Sequence, residues 1–182
     1  MKKILALALC LVMVLGLTAC NSGVQPTSKV EPVEGKNAPQ TYGNLTVFVP
    51  DSMTLSGGSA SDPSDLNVLW LAPKDGAAKF FQVSILADAE TAKANVDRLK
   101  ETNANAEDVE VMTFGERDWT GITYQAENNP CFDLYSDNGE TVVEVLCYGY
   151  GMTDAETGAI LESIVAVKPV VEEAPAAAEP AK

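Results

Sequence analysis

Carboxylates dominate the groups in this chain that can move a proton or hold a cation: 26 Asp and Glu stand against 12 Lys and Arg, and His is absent from all 182 residues. Without imidazole the commonest general base and the commonest transition-metal ligand are both missing. A Ser, His and Asp hydrolase and the usual His-containing zinc sites are therefore excluded. Paired acids remain. Glu107 and Asp108 are adjacent, but acid and base work on a glycoside needs two carboxyls facing each other across a cleft, and sequence neighbours in so acidic a chain meet by chance. Asp62 and Asp65 lie in a loop rich in Ser, Gly and Pro, and Asp133, Asp137 and Glu140 gather around a turn. A calcium loop points alternate acids inward in the pattern Asp-x-Asp-x-Asp-Gly, which neither set has, so turn and solvation roles account for both. These residues name no catalytic group, no metal ligand and no cofactor.

Trp70, Trp119, Tyr124, Tyr148 and Tyr150 are better material for a binding surface, although aromatics on strands more often pack in cores and across strands. The net charge of −14 repels nucleic acid and anionic lipid head groups, either of which needs clustered basic residues to offset phosphate. No nucleic-acid partner is expected. The acidity instead keeps the protein soluble.

The amino terminus carries the clearest signal. Lys2 and Lys3 precede an unbroken apolar run over residues 4–15, too short to span a bilayer comfortably but of signal-peptide length. Leu17, Thr18, Ala19 and Cys20 follow at once, a bulky apolar residue three before the cysteine and small residues directly before it. This stretch resembles the lipobox of bacterial lipoproteins. The resemblance implies diacylglyceryl transfer to the Cys20 sulfur and cleavage before it, so that residues 1–19 are a signal peptide and Cys20 becomes the first residue. Two acyl chains on one cysteine give stable anchoring, at about 0.8 kcal/mol per buried methylene. The expected address is extracytoplasmic, held to the cell membrane by lipid.

With Cys10 removed and Cys20 acylated, Cys131 and Cys147 remain. Outside the cytoplasm an even count invites a disulfide that would staple a hairpin, whereas the hairpin register puts the two on opposite faces and weighs against the bridge. No Cys-x-x-Cys spacing and no basic neighbour favours a reactive thiolate.

Residues 20–40 read as the lipidated start and a flexible tether, with Pro26, Pro32, Pro39, Gly23 and Gly35 and no periodicity. Residues 169–182 read as a disordered Ala, Glu and Pro tail. One domain, 41–168, lies between, since the length leaves no room for a second core. Strands are expected at 45–49, 68–71, 80–86, 109–114, 117–126, 131–136 and 141–150 from alternation and β-branched or aromatic content. Ala89, Ala92, Val96 and Leu99 recur at helical spacing behind Asp88, a capping residue. A second helix is expected behind Thr153 and Glu156, which have capping-box spacing, with Ile160, Leu161 and Ile164 as its buried stripe. Asn138 and Gly139 accept the positive φ angles of a tight hairpin turn, and as its two central residues they would pair Leu134 with Val143 and Phe132 with Val145.

These elements make an α+β domain, a mainly antiparallel sheet with two packed helices. Their order, a strand ending at Val49 and Pro50, a helix after 80–86, a strand pair across Gly115, a long hairpin and a closing helix, resembles the Mog1/PsbP-like fold of many small bacterial lipoproteins. Asp51, Ser52 and Met53 depart from that group, where a Gly and Trp pair often follows the proline. The resemblance implies a mostly non-enzymatic binding partner. The expected function is thus a lipid-anchored module that engages an envelope protein or a small ligand, with a histidine-free, carboxylate-based hydrolase as the alternative.

Overall fold

The sequence folds into strands wherever apolar residues alternate, and the path of the chain decides which strands meet. A computed structural model describes residues 33–57 and 66–169. The signal segment, Leu17, Thr18, Ala19, Cys20, Asp62, Asp65 and the tail beyond Pro169 lie outside the described residues. After β1 (Val33–Glu34), β2 (Ala38–Tyr42) and β3 (Leu45–Val49), an antiparallel run is made by β4 (Met53–Gly57), β5 (Val68–Pro73) and β6 (Phe80–Leu86). Helix α1 (Ala89–Thr102) then carries the chain to a second antiparallel run, β7 (Glu107–Phe114), β8 (Arg117–Ala126), β9 (Asn129–Asp137) and β10 (Val142–Tyr148). Helix α2 (Ala155–Ser163) and β11 (Val165–Ala166) close the described chain.

β10 pairs with β6 and joins the two runs into one eight-stranded sheet of order β1-β4-β5-β6-β10-β9-β8-β7. The start and end of α1 follow from this order. It leaves β6 in the middle of the sheet and must reach β7 at the edge, so it crosses over β10, β9 and β8 on one face. The opposite face carries the apolar half of each strand: Leu69 and Leu71, Phe81 and Val83, Phe132 and Leu134, Val143 and Val145, all fully buried. Against that face pack the three-stranded sheet β11-β3-β2 and Ile160 and Leu161 of α2, with Ile164 just past its end. Leu45, Val47 and Val49 of β3 point into the same core, and the Phe48 N–H donates to Ser163 Oγ at 2.7 Å, tying β3 to the end of α2.

Asp88 caps α1 as its residue type suggests: the Thr91 N–H donates to Asp88 Oδ1 at 2.7 Å, and the Thr91 hydroxyl donates to the same oxygen at 2.8 Å. These bonds hold the Asp88 carboxyl below its ordinary value, the backbone bond contributing most. A lowered folded pKa stabilises above the unfolded value and stops doing so as pH falls through the folded one. Asp88→Ala is accordingly expected to lower the melting temperature at neutral pH and to speed amide exchange in the first turn of α1. The difference from wild type should vanish in acid, which a melting series over pH checks.

The structure corrects several expectations. Residues 33–40, expected within the tether, enter β1 and β2, where Val33 and Glu34 pair with Leu55 and Thr54 and Ala38 begins a ladder with Val49. Pro39 is tolerated because β2 is an edge strand. β4 follows the turn at Pro50 and Asp51, where the alternating Met53 and Leu55 are buried between polar neighbours in a stretch too short to stand out. The second helix begins at Asp154 instead of through a Thr153 and Glu156 box. Asp154 Oδ2 accepts from the Gly151 N–H at 2.9 Å, which turns the side chain away from the helix amides.

In the hairpin the last pair is Asp137 with Val142, leaving four residues in the loop, so Leu134 opposes Val145 and Phe132 opposes Cys147. The shift is by two residues, an even number, and the faces are unchanged. The loop is longer because side chains take over its amides: Asn138 Oδ1 accepts from the Thr141 N–H at 2.9 Å and Asp137 Oδ1 from the Gly139 N–H at 2.8 Å. Gly139, at φ +82°, supplies the left-handed turn. Buried Arg117 pins the loop from below, its Nη2 donating to Thr141 Oγ1 at 2.6 Å.

Candidate functional site

Two surfaces and one buried cluster gather the residues with chemistry. The first surface is a shallow cleft of about 530 Å³ beside the end of β5, lined by Ser52, Pro73, Lys74, Lys79, Tyr150 and Glu156 among others. β10 ends at Tyr148, and Gly149 at φ +88° redirects the chain so that Tyr150 stacks on Phe81 with ring centroids 4.7 Å apart. The Lys79 ammonium lies 5.0 Å from the Tyr150 ring centroid, within cation–π reach. Burial raises the Tyr150 phenol to about 12, helped by the negative charge of neighbours including Glu156 and Asp154. Tyr150 therefore stays a neutral hydrogen-bonding group at physiological pH. The cleft offers an aromatic wall, two ammonium groups and the two carboxylates of Asp75 and Glu156, which suits recognition of a mixed polar and apolar ligand more than bond breaking.

The second surface lies on the α1 side of the large sheet. Register places Phe80, Tyr148, Cys131 and Tyr124 in one row across β6, β10, β9 and β8, and Trp70, Gln82, Leu146, Asp133 and Ile122 in the next. Phe80 and Tyr148 stack at 6.1 Å, and the Asn129 amide donates to the Tyr148 hydroxyl at 2.9 Å. The Trp70 indole N–H donates to Gln82 Oε1 at 3.2 Å, and Gln82 Nε2 donates to Ser84 Oγ at 3.2 Å. Trp70, Phe80, Tyr124 and Tyr148 are each half-buried, so this face presents aromatic area fixed in orientation by hydrogen bonds and stacking.

The buried cluster lies under α1. Asp133 on β9 and Glu144 on β10 are 2% and 7% exposed. Glu144 pairs with Tyr135 and Asp133 with Leu146, so the two carboxyls are diagonal neighbours on one face, their Cα atoms roughly 7–8 Å apart by strand geometry. The Asn95 amide of α1 donates to Glu144 Oε1 at 2.8 Å, whereas Asp133 Oδ1 has no hydrogen-bond partner among the described residues. Burial lifts the Asp133 carboxyl well above its ordinary range, with Glu144 adding to the lift and Arg98 opposing it. Glu144 is raised chiefly by burial, against the Asn95 bond and Arg98. Neither the 530 Å³ cleft nor a smaller depression of about 220 Å³ beside α1 is lined by Asp133 or Glu144.

The residues singled out in the sequence separate in space. Asp133 is buried, while Asp137 and Glu140 are exposed on the hairpin loop. Among the described residues no three Cys, Asp or Glu side chains converge to hold a metal ion. Glu107 and Asp108 are exposed on the edge strand β7, and Asp108 accepts an ion pair from Lys100 at 2.7 Å. Trp119 is a core residue, fully buried on the apolar face. No bridge joins Cys131 and Cys147 in the structure, and their placement is the one the hairpin register led us to expect. Adjacent pairings with Tyr148 and Phe132 put their side chains on opposite faces, and the thiols donate instead to Asn129 O at 3.5 Å and Tyr150 O at 3.7 Å. Burial pushes the Cys147 thiol far up, away from thiolate chemistry. Glu144, Asn95 and Lys79 are the residues that sequence reasoning missed. A Glu between Val143 and Val145 reads as the solvated half of an alternating strand, and nothing in the local pattern says a helix will cover it.

The fold and these surfaces define an α+β protein, a mainly antiparallel sheet with one helix on each face. No family model matches the chain, and no curated protein matches it either. Among solved structures it is similar to a crystal structure from Bacteroides thetaiotaomicron, with a TM-score of 0.40 and 15% identity over 75% of this chain and 50% of that one. The chain thus spans about half the length of that protein. Among the described residues no helix is long and apolar enough to cross a membrane.

Proposed function

We propose that the protein is a bacterial lipoprotein, extracytoplasmic and anchored through lipid on Cys20, whose α+β domain of Mog1/PsbP-like type binds an envelope protein or a small ligand and does no catalysis. The observation that carries the reading is the run Leu17, Thr18, Ala19 and Cys20 directly behind a basic and apolar leader. Element order supports the finer fold assignment: a helix between β6 and β7, a strand pair turning at Gly115, the β9 and β10 hairpin, then α2. Half-buried aromatics on the α1 side and the Tyr150 cleft support a binding role, because rigid aromatic area is what recognition surfaces use. The rival, a histidine-free hydrolase, has Asp133 and Glu144 in its favour, since one carboxyl of raised pKa beside another is what acid and base work requires. Both lie beneath α1, however, and a substrate would have to enter through the helix packing.

Replacing Cys20 with Ala in the full chain tests the anchor. The variant is expected to run unprocessed or to leave the membrane fraction, and to lose incorporation of labelled fatty acid. Normal cleavage with retention in the membrane would count against the proposal.

A further inference from the structure

The attachment of α1 to the sheet rests on little apolar area. Of its fourteen residues only Ala92 and Val96 are buried. A side-chain hydrogen bond ties it to the middle of the sheet from Asn95 to Glu144, and diagonally across from Glu144 on the same face Asp133 carries an oxygen with no hydrogen-bond partner among the described residues. A lone buried carboxylate is strongly disfavoured unless paired. No cation supplies the pair: Arg98 on α1 is exposed and, among the described residues, forms no ion pair with either acid. A protonated carboxyl solves the problem, because it carries no charge to bury.

We propose that the buried Asp133 and Glu144 act as a pH latch on α1: while one of the two carboxyls keeps its proton the helix stays closed over the sheet, and release of that proton to solvent leaves two buried charges that drive the helix off. The groups facing the pair are consistent with this. From α1 come Asn95 and, more remotely, Arg98; Lys93, Asp97 and Lys100 line the neighbouring depression with Tyr135. From the sheet, the same face presents Ser84 and Gln82 on β6, Tyr135 and Cys131 on β9, Leu146 and Tyr148 on β10, and Thr120, Ile122 and Tyr124 on β8. None of these sheet residues is a cation. The pair also continues the Trp70, Gln82 and Ser84 chain, since Ser84 opposes Glu144, so opening α1 would extend the aromatic face toward the acids.

The sign follows from linkage. Both carboxyls are raised in the folded state, so their stabilisation is complete below the unfolded pKa and is lost as pH climbs toward the folded values. Amide exchange of α1 in the full chain purified in detergent, corrected for the intrinsic rate, is the test. In the wild type the opening of α1 should grow about tenfold per pH unit while the closed form holds one proton more than the open form. β10 amides should stay protected across the same range. Asp133→Asn, which keeps the shape and removes one charge, should weaken the pH dependence and move it to higher pH, and Glu144→Gln, which can still accept from Asn95, should do the same. A wild-type α1 whose corrected protection ignores pH, equal loosening of β10, or a pH profile unchanged in whichever variant folds would each overturn the latch.

Discussion

Phe81→Ala is expected to destabilise the domain by about 3–5 kcal/mol, the range for emptying a fully buried aromatic site. Phe81 is 0% exposed near the start of β6, the strand that receives β5 on one side and β10 on the other. It opposes Leu71 and Cys147 and packs against the Phe132 and Tyr150 rings at 6.2 and 4.7 Å. Removing the ring therefore opens a cavity where the two halves of the sheet are joined, and it strips the Tyr150 wall of the cleft of its backing. Small domains hold only about 5–15 kcal/mol in total, so the urea midpoint should fall by roughly a fifth or more. Phe81→Leu, which refills most of the volume, should cost under about 1.5 kcal/mol. An unchanged midpoint for the Ala variant would place the core elsewhere.

Gly121→Ala should be nearly as damaging for a different reason. Gly121 stands opposite Leu134 at φ +152°, a conformation L side chains rarely adopt, and an added Cβ would collide with the carbonyl oxygen of Asp133 and lie 2.9 Å from Leu134 Cα. Backbone strain alone is of order 1–3 kcal/mol, and pushing β9 away adds the loss of ladder bonds between β8 and β9. We expect about 3 kcal/mol or more in total, with faster amide exchange in β9. Gly76→Ala gives the contrast. It too sits at positive φ, +75°, but nothing lies within 4 Å of the added carbon, so only the conformational cost of about 1 kcal/mol remains. Equal effects at the two positions would mean that crowding by β9 plays no part.

Most of the architecture was readable because local pattern and tertiary packing agree along it. Asp88 before Ala92 and Val96 says where α1 starts and which stripe it buries, and the structure follows both. Alternation marks β3, β6 and β8 with their bounds, and the α+β class with a mainly antiparallel sheet and two helices is what forms. The failures sit where side chains or distant elements overrule the local signal. Asn138 and Asp137 capture loop amides and lengthen the hairpin by two residues, Asp154 turns back to Gly151, and Pro39 conceals an edge strand. The site was less legible than the fold. On β9 the order Cys131, Phe132, Asp133, Leu134 reads as an apolar face and a solvated one, and only the crossing from β6 to the far edge at β7 shows why α1 must seal the second.

That same crossing gives the domain its two unlike faces, an apolar one closed by β3 and α2 and a polar, aromatic one half covered by α1. In the proposed setting the lipid holds the protein at the membrane while the aromatic face and the Tyr150 cleft remain available to a partner. The intact mass of the chain isolated from its native membranes tests this most directly. The account predicts a polypeptide that begins at Cys20 and carries a diacylglyceryl group there; a chain recovered without lipid, or still bearing residues 1–19 in the soluble fraction, would contradict it.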